Sequence, residues 1–139
     1  MQQQRQQPLP QLTNDQVKAT MSPLSQEVLE QLLKEPNAPF LAVIYFTANW
    51  CGPCKRVGLQ RVTQFRKDIQ WYLCDVDANP YSLGYCGGKQ IPSWLALVNG
   101  KPAGPLLVSA DDAATCRWLS MLPIEDVPAK KSSISKDPQ

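Results

Sequence analysis

Trp50-Cys51-Gly52-Pro53-Cys54-Lys55 is the stretch from which the rest of the chain can be read. It follows an apolar run, Phe40 to Phe46, and precedes a helical pattern, Lys55 to Asp68. Two thiols separated by two residues, where a strand hands over to a helix, suit one chemistry best. The first cysteine stands where the unpaired N–H groups of a helix start converge, and their partial positive charge favours thiolate over thiol. The second lies one turn inside, close enough to displace whatever the first has attacked. Pro53 suits a first helical turn, because its missing N–H has no partner to lose there. The six residues read as a dithiol/disulfide redox couple.

A chain of 139 residues is long enough for one domain with a real core and too short for two. Apolar content of 43% and charged content of 19% place it in the globular class. A net charge of +2 gives no reason to expect nucleic acid or a membrane as partner, and no apolar run could span a bilayer. Histidine is absent, which removes Ser-His-Asp and Cys-His catalysis and imidazole metal ligation. Five cysteines, an odd number, argue against a secreted disulfide framework. Met1 to Pro10 are Gln-rich with one Arg, unlike a secretory signal or a presequence. A reducing compartment, the cytoplasm, is the simplest location, with mitochondria or another organelle left open.

Around the cysteines the chain falls into order. Residues 1–14, polar and carrying Pro8 and Pro10, read as a disordered lead, and 15–123 as the folded domain. Gln16 to Met21 reads as a short strand. Ser22-Pro23 reads as the cap and first position of a helix whose apolar face is Leu24, Val28, Leu29, Leu32 and Leu33. Phe40 to Phe46 lacks alternation, so both its faces are expected to be covered. The next helix shows Gly58, Val62, Phe65 and Ile69 on one face, with charges elsewhere that read as a solvated surface. Gln70 to Val76 is a second strand, and Asp77 to Pro80 cap a short helical segment ahead of the glycines at 84, 87 and 88. Trp94 to Val98 is a strand, Asn99-Gly100 a two-residue hairpin turn, and Pro102 to Val108 a returning edge strand. Ser109 to Asp112 resemble a capping box for a helix burying Trp118, Leu119 and Leu122. Residues 124–139 read as a polar tail.

With these marks assembled, the chain resembles the thioredoxin family. The resemblance is carried by the hexapeptide Trp50 to Lys55, the run Asp75-Val76-Asp77-Ala78-Asn79-Pro80, Ile91-Pro92-Ser93, and Asn99-Gly100, over about residues 15 to 123. It implies an α/β thioredoxin fold, a three-layer α/β/α sandwich around a mixed sheet of four to five strands. It also implies catalytic Cys51 and Cys54, supported by Trp50, Gly52, Pro53 and Lys55, with no cofactor beyond their own redox-active disulfide. Trp50 is expected to pack beside the dithiol and limit solvent access. Pro92 would be cis and lie against that disulfide, leaving the backbone of Ile91 to pair with an extended substrate.

Several positions depart from the family pattern. The buried Asp that serves there as proton acceptor falls on Tyr45, and its partner Lys on Leu73. Losing both together is self-consistent, since losing one would strand a buried charge. The helix-bending proline falls on Leu59, which predicts a straighter active-site helix, and a glycine near the end of the last strand falls near Val108. The segment between Cys54 and Asp77 is also short. Cys74 and Cys116 read as buried small hydrophobes, and Cys86, beside Gly87-Gly88, as near enough to the redox face for a regulatory or resolving role. Zinc is not expected, with one CxxC and no histidine.

Two functions suit these residues. One is a thiol–disulfide oxidoreductase acting on protein disulfides and recharged by a dithiol-donating reductase or small thiol. The other is an adaptor of the same fold within a larger assembly, with weak or no redox activity. The hexapeptide favours the first, and Tyr45, Leu73 and the two tails the second.

Overall fold

Strand β2 (Leu41–Thr47) is the seam of the molecule, and all seven of its residues are buried. Its side chains alternate between two cores, as the period of a strand requires. Leu41, Val43 and Tyr45 enter one cluster; Ala42, Ile44 and Phe46 enter the other. This explains the unbroken apolar run. The computed structural model describes residues 10–34 and 36–126.

The elements run α1 (Asn14–Lys18), β1 (Ser22–Pro23), α2 (Gln26–Lys34), β2, α3 (Gly52–Lys55) and α4 (Leu59–Gln64). They continue with β3 (Gln70–Asp75), α5 (Ser82–Tyr85), β4 (Ser93–Val98), β5 (Lys101–Pro102), β6 (Leu107–Val108) and α6 (Asp112–Ser120). The sheet order is β1-β3-β2-β4-β5, with β6 also on β4. β1 and β2 run parallel to β3, whereas β4 runs antiparallel to β2, β5 and β6, so the sheet is mixed. Val17 of α1, Val62 of α4 and Leu119 of α6 pack on one face. Leu29 and Leu32 of α2, with Leu83 of α5, pack on the other. The three-layer sandwich expected from the sequence is the fold observed.

Local departures have identifiable causes. Gln16 to Met21 is not a strand. Thr13 caps α1 by accepting from the Gln16 N–H, and the Gln16 side chain accepts from the Thr13 N–H, a complete capping box. Thr13 and Asn14 therefore belong to the domain rather than to a lead ending at residue 14; residues 1–9 lie outside the described residues. Ser22-Pro23 pairs with Tyr72 and Leu73 as β1 instead of starting α2, whose first turn is served by the Ser25 hydroxyl accepting from the Val28 N–H. The returning segment keeps its edge position but divides into β5 and β6. Pro102 and Pro105 offer no N–H, and Gly104 turns at φ 93° between the two short pieces. Asn99 and Gly100 make the predicted turn, both at positive φ (52° and 80°).

The active-site helix is not straighter. It breaks between Lys55 and Leu59, even though leucine stands where a proline would bend it. Val62 is buried as expected, but α4 ends at Gln64, and Phe65, expected on the same face, is exposed at its C-cap. At the C-terminal end, Asp111 caps α6 through the Ala114 N–H, and Ser109 accepts from the Asp111 N–H. The Arg66 guanidinium donates to the Leu119, Leu122 and Pro123 carbonyls, closing off that helix. Of the tail expected over 124–139, residues 127–139 lie outside the described residues.

Candidate active site

At the C-terminal end of β2 the chain leaves the sheet, and Cys51 becomes the N-cap of α3. Pro53 occupies the first turn, and the Cys54 N–H donates to Cys51 Sγ over 3.1 Å. Cys51 and Cys54 are joined, with an S–S distance of 2.16 Å. Both are buried, at 3% and 4% exposure, so accessibility does not distinguish them in this state. The surroundings do. Cys51 carries the N-cap hydrogen bond, which favours negative charge on its sulfur. Cys54 instead lines a cavity running beneath the loop.

The buried surroundings of the pair are Ala48, Val76 and Ile91. The Ile91–Pro92 peptide bond is cis, as the resemblance implies, and Pro92 is buried. The Pro92 carbonyl accepts from the Ser109 N–H. Val108 pairs with Ser93, which places it beside this bond and half exposed. Gly52, Pro53 and Lys55 are exposed, and nothing lies within 4 Å of where a Gly52 side chain would start. Trp50 presents most of its surface to solvent. It is 65% exposed, tethered at its edge by Nε1 donating to Asp77 Oδ1 over 3.0 Å.

Tyr45 and Leu73 are register partners on β2 and β3, so the two departures from the family pattern touch the same rung of the sheet. Tyr45 is 1% exposed and stacks on Trp94 with ring centroids 4.2 Å apart. Burial pushes the Tyr45 phenol above its ordinary value, and the Thr47 side-chain hydrogen bond only partly opposes that. A neutral stacked phenol replaces whatever charge the position could hold. Leu73 packs at the margin of the same cluster.

The break after α3 is satisfied by two residues that the sequence reading gave no such role. Asn14 Nδ2 donates to the Val57 carbonyl over 2.7 Å and to the Lys55 carbonyl over 3.4 Å, while its Oδ1 accepts from the Leu59 N–H at 3.2 Å. Asp112 Oδ1 accepts from the Gly58 N–H at 2.7 Å. The legible signal was Thr13-Asn14-Asp15-Gln16, whose ends form a capping box and so announce a helix rather than a lead.

Cys74 and Cys116 are buried, as expected. Cys86 is half-buried in the core containing Cys74, among Leu83 and Ile91, and not in the cluster around the disulfide. Burial pushes the thiols of Cys74 and Cys86 up to about 12 and about 11. No cluster of three or more His, Cys, Asp or Glu suited to a metal ion occurs among the described residues. Nor is any described helix long and apolar enough to cross a membrane.

The family model Thioredoxin matches residues 20–117. A thioredoxin of Mycobacterium bovis is 31% identical over 107 residues, covering 75% of this chain and 86% of its own. A thioredoxin of Mycoplasmoides gallisepticum is 40% identical over 78 residues, covering 54% of this chain and 74% of its own. In fold, oxidised mitochondrial thioredoxin 3 from Saccharomyces cerevisiae matches 76% of this chain and 99% of its own. The TM-score is 0.65 at 24% identity.

Proposed function

The chain belongs to the thioredoxin family of disulfide oxidoreductases, and from that premise we propose that Cys51 and Cys54 reduce or exchange disulfides of protein substrates. The observation that carries this is the Cys51–Cys54 bond at a strand-to-helix junction, packed against Ile91 beside a cis Pro92. In the reduced enzyme the Cys51 thiolate attacks one sulfur of a substrate disulfide. The substrate S–S bond breaks, one thiolate leaves, and a mixed disulfide forms on Cys51. Cys54 then attacks Cys51 Sγ, the second substrate thiolate leaves, and two electrons have passed from the dithiol to the substrate. No cofactor besides the cysteine pair is called for. A reductase that donates a dithiol, or a small thiol, returns the pair to its reduced form, in a reducing compartment that we take to be the cytoplasm or an organelle.

The exposed side chains of Trp50, next to Cys51 in the chain, and Val108, paired with Ser93 beside Pro92, suit an extended polypeptide laid along Ile91. Trp50, Gly52, Pro53 and Lys55 shape the approach to Cys51; Ile91 and Pro92 hold the substrate backbone. Reduction of insulin disulfides with a dithiol donor, comparing wild type with Cys51→Ser, tests the proposal. Turnover lost in Cys51→Ser supports it. Equal rates for the two proteins at the uncatalysed level refute it and leave the adaptor reading, which the exposed Tyr81 and Tyr85 on the α5 side would serve.

A further inference from the structure

The cavity beneath Cys54, about 530 Å³, is walled by β2 on one side and α1 on the other. It matters because Cys54 must shed a proton before it can attack the mixed disulfide, and its sulfur is buried. Besides the thiol itself, four ionisable groups face this space: Asp15 and Lys18 from α1, Tyr45 from β2, and Lys55 from α3. Tyr45 is no acceptor near neutral pH, because burial raises its phenol. Lys55 sits on the exposed side of α3. The Asp15 side chain is 91% exposed, whereas that of Lys18 is only 20% exposed, its ammonium 3.4 Å from the Asp15 carboxylate. Lys18 is therefore the less exposed of the two cations that line the cavity with Cys54.

We propose that Lys18 is a positioning residue for the resolving step: its ammonium, held at the cavity by Asp15, favours the Cys54 thiolate. An ammonium lining the same cavity as the thiol favours the anion, and does so more strongly the less water screens the two. In that step the Cys54 S–H bond breaks and its proton leaves through the cavity, which is roomy and polar enough for water. The thiolate attacks Cys51 Sγ, the Cys51–Cys54 bond forms, and the bond from Cys51 to substrate breaks. The substrate departs as a thiolate and is protonated by solvent.

This inference rests on the dithiol chemistry proposed above, and the test separates the two. Reduced full-length protein is mixed rapidly with a fluorogenic peptide disulfide, and the bimolecular attack phase is resolved from the unimolecular release phase. Wild type, Lys18→Met, Lys18→Arg and the remote control Lys34→Met are compared between pH 6 and 9. In Lys18→Met the release phase is expected to slow about tenfold at pH 7 and its pH midpoint to rise, with attack unchanged. Lys18→Arg restores both, and Lys34→Met changes neither. An unchanged release profile in Lys18→Met, with normal attack, overturns the role of Lys18 alone. Absence of any attack phase in wild type overturns the oxidoreductase reading and this inference with it.

Discussion

Replacing Asn14 with alanine removes the side chain that plugs the break between α3 and α4. Two of its hydrogen bonds are firm, 2.7 Å to the Val57 carbonyl and 3.2 Å from the Leu59 N–H, and the residues at both ends are at most 2% exposed. A backbone group stranded in such a place costs about 1–3 kcal/mol, and partial access for water reduces the sum for two. We expect a loss of about 2–3 kcal/mol. For a domain of this size that is roughly 8–12 °C in melting temperature, measured by calorimetry or by circular dichroism. Asn14→Asp sharpens the test. It keeps the acceptor for Leu59 but turns a second oxygen toward the Val57 carbonyl, so it should lower the melting temperature at least as much as alanine. A chain beginning at residue 15 should fall by a similar amount, and one beginning at residue 10 should not. A melting temperature within about 2 °C of wild type for Asn14→Ala would show that the helix break needs no side-chain support, and the reasoning would be wrong.

Other expectations are independent of that one. Gly100→Ala places a side chain at φ 80° with its Cβ 2.5 Å from the Leu32 carbonyl oxygen, and should cost about 2–3 kcal/mol in urea unfolding; an unchanged midpoint would refute it. In reduced protein at about pH 7.5, iodoacetamide should leave Cys74 and Cys86 unmodified while Cys51 reacts, since burial lifts those two thiols to about 12 and about 11. Prompt labelling of Cys86 would count against this. Asp68 hydrogen-bonds Arg66, which depresses its carboxyl pKa below the ordinary range. Its contribution is therefore present above the unfolded-state value near 4 and lost as pH falls through the lower folded value. Asp68→Asn should flatten the acid limb of the stability curve and leave the alkaline limb alone; an acid limb identical to wild type would sink the assignment.

How far the sequence carried the reading depended on the length of each signal. The unbroken run Phe40 to Phe46 and the hexapeptide at 50–55 were legible because one states burial on both faces and the other states a chemistry. Asn99-Gly100 was legible because few residue pairs adopt positive φ in succession. The short pieces were not. Gln16 to Met21 is too short a piece to decide by pattern: Val17 and Met21, four positions apart, also suit helical spacing, and Thr13 with Gln16 decides for the helix. Leu59 misled for a different reason. Removing a proline removes one cause of a bend, but Asn14 and Asp112 reach in from distant parts of the chain and stabilise the break. Long-range hydrogen bonds of that kind leave no local pattern to read. The same holds for the cavity below Cys54, whose walls come from segments far apart in sequence.

Helix α1 spans five residues, too few to persist once detached. It is therefore a candidate for opening by itself while the sheet stays intact. Such an excursion would uncover the Leu59 amide, which Asn14 protects, and would also remove the wall carrying Lys18 from beside Cys54. Amide hydrogen exchange at Leu59 and the rate at which the resolving thiol meets bulk solvent would then share one clock, set at the amino-terminal end of the domain.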